Sequence, residues 1–381
     1  MDRQKIVHIA NDYSGSTVYK NLIRELNYLK IEQIVYTPVK TALSIGKNEI
    51  ELQTAGSEII YSNILNNSVD RIFYRLKVKK ILNDIESKVD FSRVKLIHAH
   101  TWYSDGGVAY LLSKKYNIPY VVTVRNSDLN VFQKYLIHER TFGKKILEHA
   151  KSVVLIAASY KPRLLSLPSL QSIKKELETK IEIIPNGVDP YWIEHTRARE
   201  IPEKPKDTFN ILFIGKFSKG KNITALQKAA ILIQKDARFN VKLHIVGGDG
   251  SEVEKVLQQI EAFPDLFKYY GKVYDKEQLL GIFGSCDIFA MPSRHESFGL
   301  VYVESMLQGL PVLYTHNEGI DGFYEEKIGE KVLGFSAEEI KQKLEILITN
   351  FNNYIIPTEK MKQNHDWALI AKMYQAIYNN Q

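Results

Sequence analysis

Residues 286–312 read CDIFAMPSRHESFGLVYVESMLQGLPV and place an apolar stretch of helical spacing between two shorter apolar runs. The outer runs, CDIFAMP and LPV, are typical of buried strands. The apolar residues between them predict a buried helix at about 298–308, which we expect Ser297 to cap and Gly309 to end. A strand, a helix and a second strand in this order favour a parallel sheet.

The same alternation covers the whole chain in two blocks. The predicted strands of the first block are KIVHIA (5–10), QIVYTPV (33–39), KLIHAH (95–100), YVVTVR (120–125), SVVLIA (152–157) and IEIIPN (181–186). Those of the second block are NILFIG (210–215), VKLHIVGG (241–248), KYYG (268–271), CDIFAMP (286–292) and LPVLYT (310–315). Strands that alternate with helical segments twice over predict an α/β protein with two Rossmann-like, parallel-sheet domains.

A polar segment separates the two blocks. HTRAREIPEKPKDTFN (195–210) contains two prolines, dense charge and few apolar residues, which is typical of a linker. We therefore predict a first domain at 1–194, a linker at 195–208 and a second domain at 209–365. Open parallel sheets bind ligands at the carboxyl ends of their strands, so we expect the two domains to face a central cleft.

Composition excludes several classes of protein. The chain has 381 residues, of which 44% are apolar and 25% charged, as in globular proteins of two domains. Its first residues, MDRQKIVHIANDYS, lack the apolar core of a signal peptide, and no apolar run is long enough to span a bilayer. The single cysteine, Cys286, excludes intramolecular disulfides. These features predict a cytoplasmic protein.

The net charge of +7 is unevenly distributed. Residues 1–190 contain 28 Lys and Arg against 19 Asp and Glu, a balance of +9, which leaves 23 against 25, or −2, for the rest. The basic residues are densest in RIFYRLKVKK (71–80), which is also typical of a solvated amphipathic helix face. An excess of this kind favours an acidic partner. On charge alone, such a partner is a membrane surface, a lipid-linked phosphate or a nucleic acid. We expect an anionic membrane surface, with the protein at its inner face, and no nucleic acid.

The segment GKFSKGKN (215–222) resembles a phosphate-binding P-loop, but Asn222 occupies the position of the required hydroxyl. Two lysines remain, Lys216 and Lys221, in a glycine-containing loop between a strand and a helix. They are well placed to neutralise a diphosphate. The same sequence pattern would also be found for two exposed surface lysines with no ligand.

Two other motifs give weaker signals. VGGDG (246–250) lacks the third glycine of a dinucleotide-binding fingerprint, so a tight turn explains it adequately. His98 and His100 alternate at a strand end with no third ligand at metal spacing nearby. We therefore predict no metal site, and the absence of any Asp-x-Asp sequence argues against metal-dependent binding of a sugar nucleotide.

Two glutamates, Glu296 and Glu304, lie eight positions apart at the predicted helix 298–308. An apolar helix buries an acid only where something satisfies it, so each is either a paired structural glutamate or a ligand contact. Unpaired N–H groups at the start of this helix would favour an anion.

The sequence resembles family 4 of the retaining glycosyltransferases over nearly its whole length. Four segments carry the resemblance: IIPNGVD (183–189), GKFSKGKN (215–222), VGGDG (246–250) and the stretch at 286–312 with its E-x7-E motif. The resemblance implies a GT-B architecture in which the second domain holds the sugar nucleotide. The closing segment DWALIAKMYQAIY (366–378) looks like the family's terminal helix, which crosses back to the first domain, so residues 366–381 are assigned there.

The resemblance also implies roles for individual residues. Lys216 and Lys221 would bind the donor diphosphate and stabilise its charge during catalysis, with Lys216 in place of the family's usual arginine. Glu304 would accept hydrogen bonds from the ribose, and Glu296, the third predicted catalytic residue, would lie near the transferring sugar. The remaining predicted donor contacts are Gly15, Gly247, Val273, Phe298, Gly299 and Leu300.

The first domain departs further from the family pattern. Where many members have a histidine after the fifth strand, this chain reads TVRNSD, so His100, Arg125 and Asn126 are only candidates for lining the acceptor side. The resulting prediction is a metal-independent, retaining hexosyltransferase with no cofactor. It would transfer a sugar from a UDP- or GDP-sugar to a hydroxyl of a saccharide or lipid-linked acceptor, in cell-surface polysaccharide or glycolipid biosynthesis. A sugar-nucleotide 2-epimerase and a non-catalytic subunit that binds a sugar nucleotide or lipid carrier are the alternatives.

Overall fold

The computed structural model describes residues 4–66, 70, 73–199 and 206–380. Residues 200–205 of the predicted linker, and Arg71 and Ile72 of the basic segment, lie outside the described residues. Contacts divide the chain into two compact units. The first unit comprises Met1–Ile156, Tyr160–Gly187 and Trp367–Gln381, and the second comprises Ala157–Ser159 and Val188–Asp366.

Each unit is built on one parallel sheet, which confirms the predicted α/β class. The strands of the first unit are β1 (Lys5–Ile9), β2 (Gln33–Val39), β3 (Glu58–Asn63), β4 (Val94–Ala99), β5 (Tyr120–Val124), β6 (Ser152–Leu155) and β7 (Ile181–Ile183). They lie in the order β3-β2-β1-β4-β5-β6-β7, and all neighbours pair in parallel. The order reverses at β1 and β4, so the loops after these strands flank a crevice where ligands commonly bind.

The second unit repeats this arrangement with six strands. They are β8 (Phe209–Gly215), β9 (Val241–Gly247), β10 (Phe267–Tyr269), β11 (Ile288–Ala290), β12 (Val312–Thr315) and β13 (Gly329–Val332). Their order is β10-β9-β8-β11-β12-β13, again with parallel pairing throughout. The equivalent reversal lies between β8 and β11.

Helices connect the strands and cover the sheets. Those of the first unit are α1 (Thr17–Tyr28), α2 (Tyr74–Glu86), α3 (Ser104–Tyr116), α4 (Gln133–Tyr135), α5 (Arg140–His149), α6 (Tyr160–Leu165), α7 (Lys174–Lys180) and, at the chain end, α15 (Trp367–Asn379). Those of the second unit are α8 (Pro190–Glu194), α9 (Ile223–Asp236), α10 (Val253–Ala262), α11 (Lys276–Gly284), α12 (Leu300–Leu307), α13 (Ala337–Thr349) and α14 (Thr358–His365). Among the described residues, no helix has the length and apolarity needed to cross a bilayer.

The sequence patterns do not predict strands β3 and β13. Each lies at an edge of its sheet and has exposed or half-buried positions: EIIYSN in β3 and GEKV in β13. An edge strand pairs on one side only and tolerates polar residues, so its apolar pattern is weak. All of the strands that were predicted from the sequence are present, within a few residues of their expected bounds.

Helix α15 belongs to the core of the first unit, as the terminal helix of the predicted fold should. Its apolar face packs with α1 and the sheet, and six of its residues are buried in this cluster: Trp367, Ile370, Ala371, Tyr374, Ile377 and Tyr378. A phenolic hydroxyl also fixes the helix, because the Tyr378 oxygen lies 2.7 Å from Nδ1 of His98 on β4.

Gly187, in the IIPNGVD segment, makes a close contact with this helix. A Cβ atom at Gly187 would lie 2.6–2.7 Å from three atoms of the Trp367 indole, well inside contact distance. The indole itself is buried. The glycine therefore allows the segment Tyr160–Gly187 of the first unit to end directly against α15.

We predict that Gly187→Ala destabilises the protein by about 1–3 kcal/mol, because the added methyl group overpacks the contact with the Trp367 ring. Gly281→Ala in α11 is the matched control: a Cβ there meets nothing within 4 Å. It should be neutral or stabilising by about 0.5–1 kcal/mol, since alanine favours a helix. Thermal midpoints would measure both, and a Gly187→Ala midpoint equal to that of Gly281→Ala would contradict the packing argument.

Candidate functional site

The loop after β8 carries the two predicted lysines of the second unit. Gly215 ends β8, and Asn222, in the left-handed conformation with φ 57°, precedes α9. Asn222 also donates from Nδ2 to the carbonyl of Phe335 over 3.2 Å, which fixes the end of the loop. Lys216 is exposed and Lys221 is half-buried, so the two ammonium groups have different surroundings.

The loop after β11 packs against this lysine loop. The backbone N–H of Arg294 donates to the carbonyl of Gly220 over 2.8 Å. Beside this bond, Lys221 Nζ lies 2.5 Å from Oε2 of the buried Glu296. A buried carboxylate is stable only with such a partner. The structure thus joins two predicted site residues, Lys221 and Glu296, in one ion pair.

Glu318, in the loop after β12, supports Glu296 from the other side. Its Oε2 accepts the backbone N–H of Glu296 over 2.8 Å, and its Oε1 lies 3.6 Å from Nδ1 of His295. Glu318 was not among the residues predicted from the sequence. Its only signal is its place just after the predicted strand LPVLYT, because parallel strands bring their carboxyl ends to one edge.

Helix α12 begins after Gly299, and the predicted Ser297 cap is wrong. Gly299 is the N-cap in the left-handed conformation with φ 77°, and a Cβ there would lie 2.6 Å from the Tyr302 ring. The Ser297 N–H instead donates to Oε1 of Glu296 over 3.0 Å. The first N–H groups of a helix have no acceptor within it, so those of Leu300 and Val301 can bind an anion next to Glu296, whereas the Tyr302 N–H already donates to the Gly299 carbonyl.

Phe298 anchors this loop through its side chain. The ring is buried and packs edge-to-face on Phe323, with centroids 5.6 Å apart. It also contacts the tilted His365 ring, with centroids 5.2 Å apart. Because the ring faces the interior, only the backbone of Phe298 is suited to contact a ligand, as the resemblance implies.

The glycine turn after β9 lies against the lysine loop. Gly247 and Gly250 have φ values of 145° and 136°, and a Cβ at either would overlap backbone atoms of Gly215 or Phe217. The Phe217 N–H donates to the carbonyl of Asp249 over 2.7 Å. The glycines therefore allow the loops after β8 and β9 to approach each other closely. This packing accounts for the glycines of VGGDG, and it places Gly247 beside the lysine loop.

Glu304 lies within α12 and is partly buried. Among the described residues its carboxylate has no ion-pair or hydrogen-bond partner. Burial raises the pKa of Glu304 to about 7; the nearby Asp189 adds to the increase and Lys276 opposes it. An acid held without a partner at this cost suits a ligand that donates hydrogen bonds, such as a hydroxyl pair.

Val273 follows the last strand-end turn of this edge. The turn contains Gly271, with φ 70°, whose carbonyl accepts the N–H of Gly247 over 2.8 Å. Val273 is half-buried and its neighbour Tyr274 is exposed. The turn after β10 thus lies at the same sheet edge as the loops after β8 and β9.

Together, these loops make a site for an anion with attached hydroxyl groups. Lys216, Lys221 and the N-terminus of α12 supply positive charge and N–H donors, and Glu296 and Glu304 supply acceptors. All these groups belong to the second unit, and an ion pair and backbone hydrogen bonds join the loops after β8, β9, β10 and β11 at one sheet edge.

Gly15 belongs instead to the first unit. It ends the short 3-10 turn Tyr13–Gly15 after β1, and a Cβ there would meet nothing within 4 Å. Its φ is not positive, so the backbone there does not require glycine.

The acceptor-side candidates also lie in the first unit. Arg125 follows β5, stacks at 4.8 Å over the Tyr19 ring and donates from Nε to the His100 carbonyl over 3.2 Å. Asn126 accepts a hydrogen bond from Asn130. Arg125 and Asn126 are half-buried, whereas His100 is buried in the core, so of the three only Arg125 and Asn126 present surface to a ligand.

His100 belongs to a buried cluster of three histidines, of which His8 was not predicted from the sequence. Ring nitrogens of His8, His98 and His100 lie within 4.8 Å of one another, so the expectation that no third imidazole lies nearby is wrong. His8 Nδ1 is 3.0 Å from His100 Nε2, and both nitrogens of His98 bond to hydroxyls.

This histidine cluster is better suited to packing than to metal binding. The His98 and His100 rings stack with centroids 4.0 Å apart, which does not direct both toward one ion. Burial holds the pKa of all three well below the usual value, so the imidazoles are neutral. They form a polar layer between β1, β4 and α15.

Comparison with known proteins identifies the two units. The family model described as "Glycosyltransferase Family 4" matches residues 15–192, and that described as "Glycosyl transferases group 1" matches residues 194–365. An uncharacterized glycosyltransferase of Methanocaldococcus jannaschii is 28% identical over 88% of this chain and 85% of its own length. The D-inositol 3-phosphate glycosyltransferase of Pseudarthrobacter chlorophenolicus is 27% identical over 89% of this chain and 83% of its own length.

Solved structures show the same fold. Sucrose-phosphate synthase of Thermosynechococcus elongatus superposes with a TM-score of 0.70 at 18% identity, covering 99% of this chain and 98% of that protein. Anabaena HepE, in complex with UDP and glucose, gives a TM-score of 0.65 at 17% identity over 99% and 100%. The two parallel-sheet units are therefore a GT-B fold, and the chain belongs to the family 4, group 1 glycosyltransferases.

Proposed function

We propose that this glycosyltransferase is retaining and metal-independent, and that it transfers a hexose-type sugar from a UDP- or GDP-sugar to an acceptor hydroxyl. The observation that carries the proposal is the Lys221–Glu296 ion pair at the N-terminus of α12, beside the exposed Lys216. A cationic loop and a helix N-terminus supply the charge stabilisation that a metal ion supplies elsewhere. HepE, whose structure contains UDP and glucose, supports a sugar nucleotide as donor.

The ion pair has a defined role in this proposal. When the donor binds, its diphosphate competes with Glu296 for the Lys221 ammonium, and Glu296 becomes available to hydroxyls of the transferring sugar. Glu304 accepts hydrogen bonds from the ribose, which gives its buried carboxyl the partners that it lacks among the described residues. The ligand thus satisfies both acids.

The bond between the anomeric carbon and the diphosphate oxygen breaks as the acceptor oxygen bonds to that carbon on the same face. The acceptor proton passes to a leaving phosphate oxygen, so no separate general base is needed. Negative charge grows on the diphosphate in the transition state, and Lys216, Lys221 and the α12 N-terminus stabilise it more than they stabilise the bound substrate.

The acceptor is proposed to be a saccharide or lipid-linked hydroxyl in cell-surface polysaccharide or glycolipid biosynthesis. We propose that the protein is cytoplasmic and associates with an anionic membrane surface. The excess of +9 in residues 1–190 supports this association. In the structure, exposed apolar side chains such as Leu76 and Tyr135 accompany the basic residues of the first unit.

A panel of sugar nucleotides tests the proposal. With an acceptor extract and excess EDTA, we expect sugar transfer from a UDP- or GDP-sugar at an unchanged rate, because lysines replace the metal. Isomerisation of the donor would instead identify a 2-epimerase, and binding without turnover a non-catalytic subunit. Loss of transfer in EDTA that added Mg²⁺ restores would contradict metal independence.

For Lys221→Ala we predict a decrease in kcat/KM of about 10² or more, equivalent to roughly 3 kcal/mol of transition-state stabilisation. Lys219→Ala removes the same charge from an exposed position in the same loop and serves as the matched control, with an expected change below about threefold. Steady-state kinetics of the two variants would measure the difference. Wild-type kinetics in Lys221→Ala would remove its role at the diphosphate.

A further inference from the structure

The loop after β12 (316–322) lies directly against the loop that carries Glu296. Gly319 has a φ of 54°, in the left-handed region. A Cβ atom there would lie 2.8 Å from the Phe298 carbonyl oxygen and 3.1 Å from Cγ of Glu296. The loop after β12 is therefore a wall of the proposed donor site, on the side of Glu296.

Hydrogen bonds and an ion pair fix this loop from within. Oδ2 of the buried Asp321 accepts the Asn317 N–H over 2.7 Å and lies 2.8 Å from Nδ1 of His316. The other carboxylate oxygen of Asp321 lies 3.5 Å from Nζ of Lys331 on β13. The Asp321 N–H donates to the Glu318 carbonyl over 3.1 Å. The backbone at Glu318 thus has a defined position.

The Glu318 side chain is directed at the backbone of Glu296. It is 11% exposed, and its Oε2 accepts the Glu296 N–H over 2.8 Å. Its Oε1 lies 3.6 Å from Nδ1 of His295, whose side chain is 65% exposed. A hydrogen bond to a charged acceptor is stronger than a neutral one, and shielding from water strengthens it further. Glu318 therefore fixes the backbone from which the Glu296 side chain extends.

The Glu296 carboxylate has two contacts of its own, and the proposed donor removes one of them. Oε2 is paired with Nζ of Lys221, and Oε1 accepts the Ser297 N–H over 3.0 Å. A bound diphosphate would take the Lys221 ammonium. The described contact that remains on the side chain is the bond from the adjacent Ser297. The position of the carboxylate then depends on the backbone that Glu318 holds.

Glu318 is poorly suited to bind the diphosphate itself. A carboxylate repels a phosphate group, and both oxygens of Glu318 already face partners, the Glu296 N–H and the His295 ring. A shielded acid beside a site for an anion makes binding of that anion less favourable. The geometry therefore indicates a different role for Glu318, at the backbone of Glu296.

We propose that Glu318 is a positioning residue for the transfer reaction. It holds the Glu296 backbone so that the Glu296 carboxylate stays at the transferring sugar after the diphosphate has taken Lys221. The inference rests on the proposed function, since it assumes that Glu296 contacts that sugar. Because Glu318 acts through Glu296 and not on the diphosphate, its loss should lower kcat and leave nucleotide binding unchanged.

Two substitutions separate the reach of the Glu318 side chain from its charge. Glu318→Gln keeps an oxygen acceptor at the same distance without the charge, whereas Glu318→Asp keeps the charge on a side chain one methylene shorter. The test uses the full-length protein and the sugar nucleotide from which wild type transfers. We expect Glu318→Asp to lower kcat by about tenfold or more, and Glu318→Gln by less than about threefold. The donor KM should stay within about twofold in both variants.

Glu325→Gln is the matched control for these variants. It removes one carboxylate charge from an exposed position that also lies between β12 and β13. We expect wild-type kinetics, because charge removal at an exposed site has little effect. Thermal shifts with UDP or GDP, whichever the donor releases, should be equal in wild type and the Glu318 variants, which also shows that the variants are folded.

A double-mutant cycle tests whether Glu318 acts through Glu296. Glu296→Ala removes the carboxylate that Glu318 is proposed to position. Addition of Glu318→Asp to Glu296→Ala should therefore lower kcat by less than about twofold. A combined loss equal to the product of the two single losses would show independent action and contradict the proposal.

Three further results would overturn it: wild-type kcat in Glu318→Asp, weakened nucleotide binding at unchanged kcat, or a larger loss of kcat in Glu318→Gln than in Glu318→Asp. The last result would assign the effect to the charge of Glu318. Glu318→Gln alone keeps the test valid if Glu318→Asp fails to fold, because a tenfold loss in Glu318→Gln also contradicts the proposal.

The wild type separates this test from the proposed function. Absence of transfer by wild type from every sugar nucleotide would refute the proposed function, and this inference with it. Transfer by wild type at a rate that the Glu318 variants retain would refute the positioning role alone.

Discussion

Parallel strand pairing brings the carboxyl ends of all strands in a sheet to one edge, and the candidate donor site of this protein is built there. In the second unit, the loops after β8, β9, β11 and β12 supply Lys221, the glycine turn, Glu296 and Glu318. In the first unit, residues of the loops after β1, β2 and β4 line a cavity of about 450 Å³. Residues far apart in sequence thus meet because of sheet topology.

The two acids of the proposed donor site differ in their partners. Glu296 is held by Lys221, by its own loop and by the backbone bond to Glu318, so it is stable before any ligand binds. Glu304 has a raised pKa and no such partner among the described residues. A diphosphate with an attached ribose suits both acids, because its phosphates would bind Lys221 and its ribose hydroxyls would donate to Glu304.

Local sequence patterns predicted much of this arrangement. The βαβ alternation indicated two parallel sheets, and the lysine loop and the two glutamates were named as site residues. The Lys221–Glu296 contact was not predictable from spacing, because 75 positions separate the partners and the sheet order brings them together. Glu318 and His8 were missed for the same reason. Edge strands β3 and β13 were missed because polar residues weaken their pattern. The Ser297 cap was wrong because the helix begins two residues later, after Gly299, whose left-handed conformation suits a glycine.

A crystal structure with UDP, grown in EDTA, would show how the protein holds the donor diphosphate. We predict the diphosphate at the N-terminus of α12 within hydrogen-bond distance of Lys221 Nζ, with the Lys221–Glu296 contact longer than 2.5 Å and the ribose hydroxyls on Glu304. A diphosphate bound away from this loop, or no UDP bound until a divalent cation is added, would contradict this prediction.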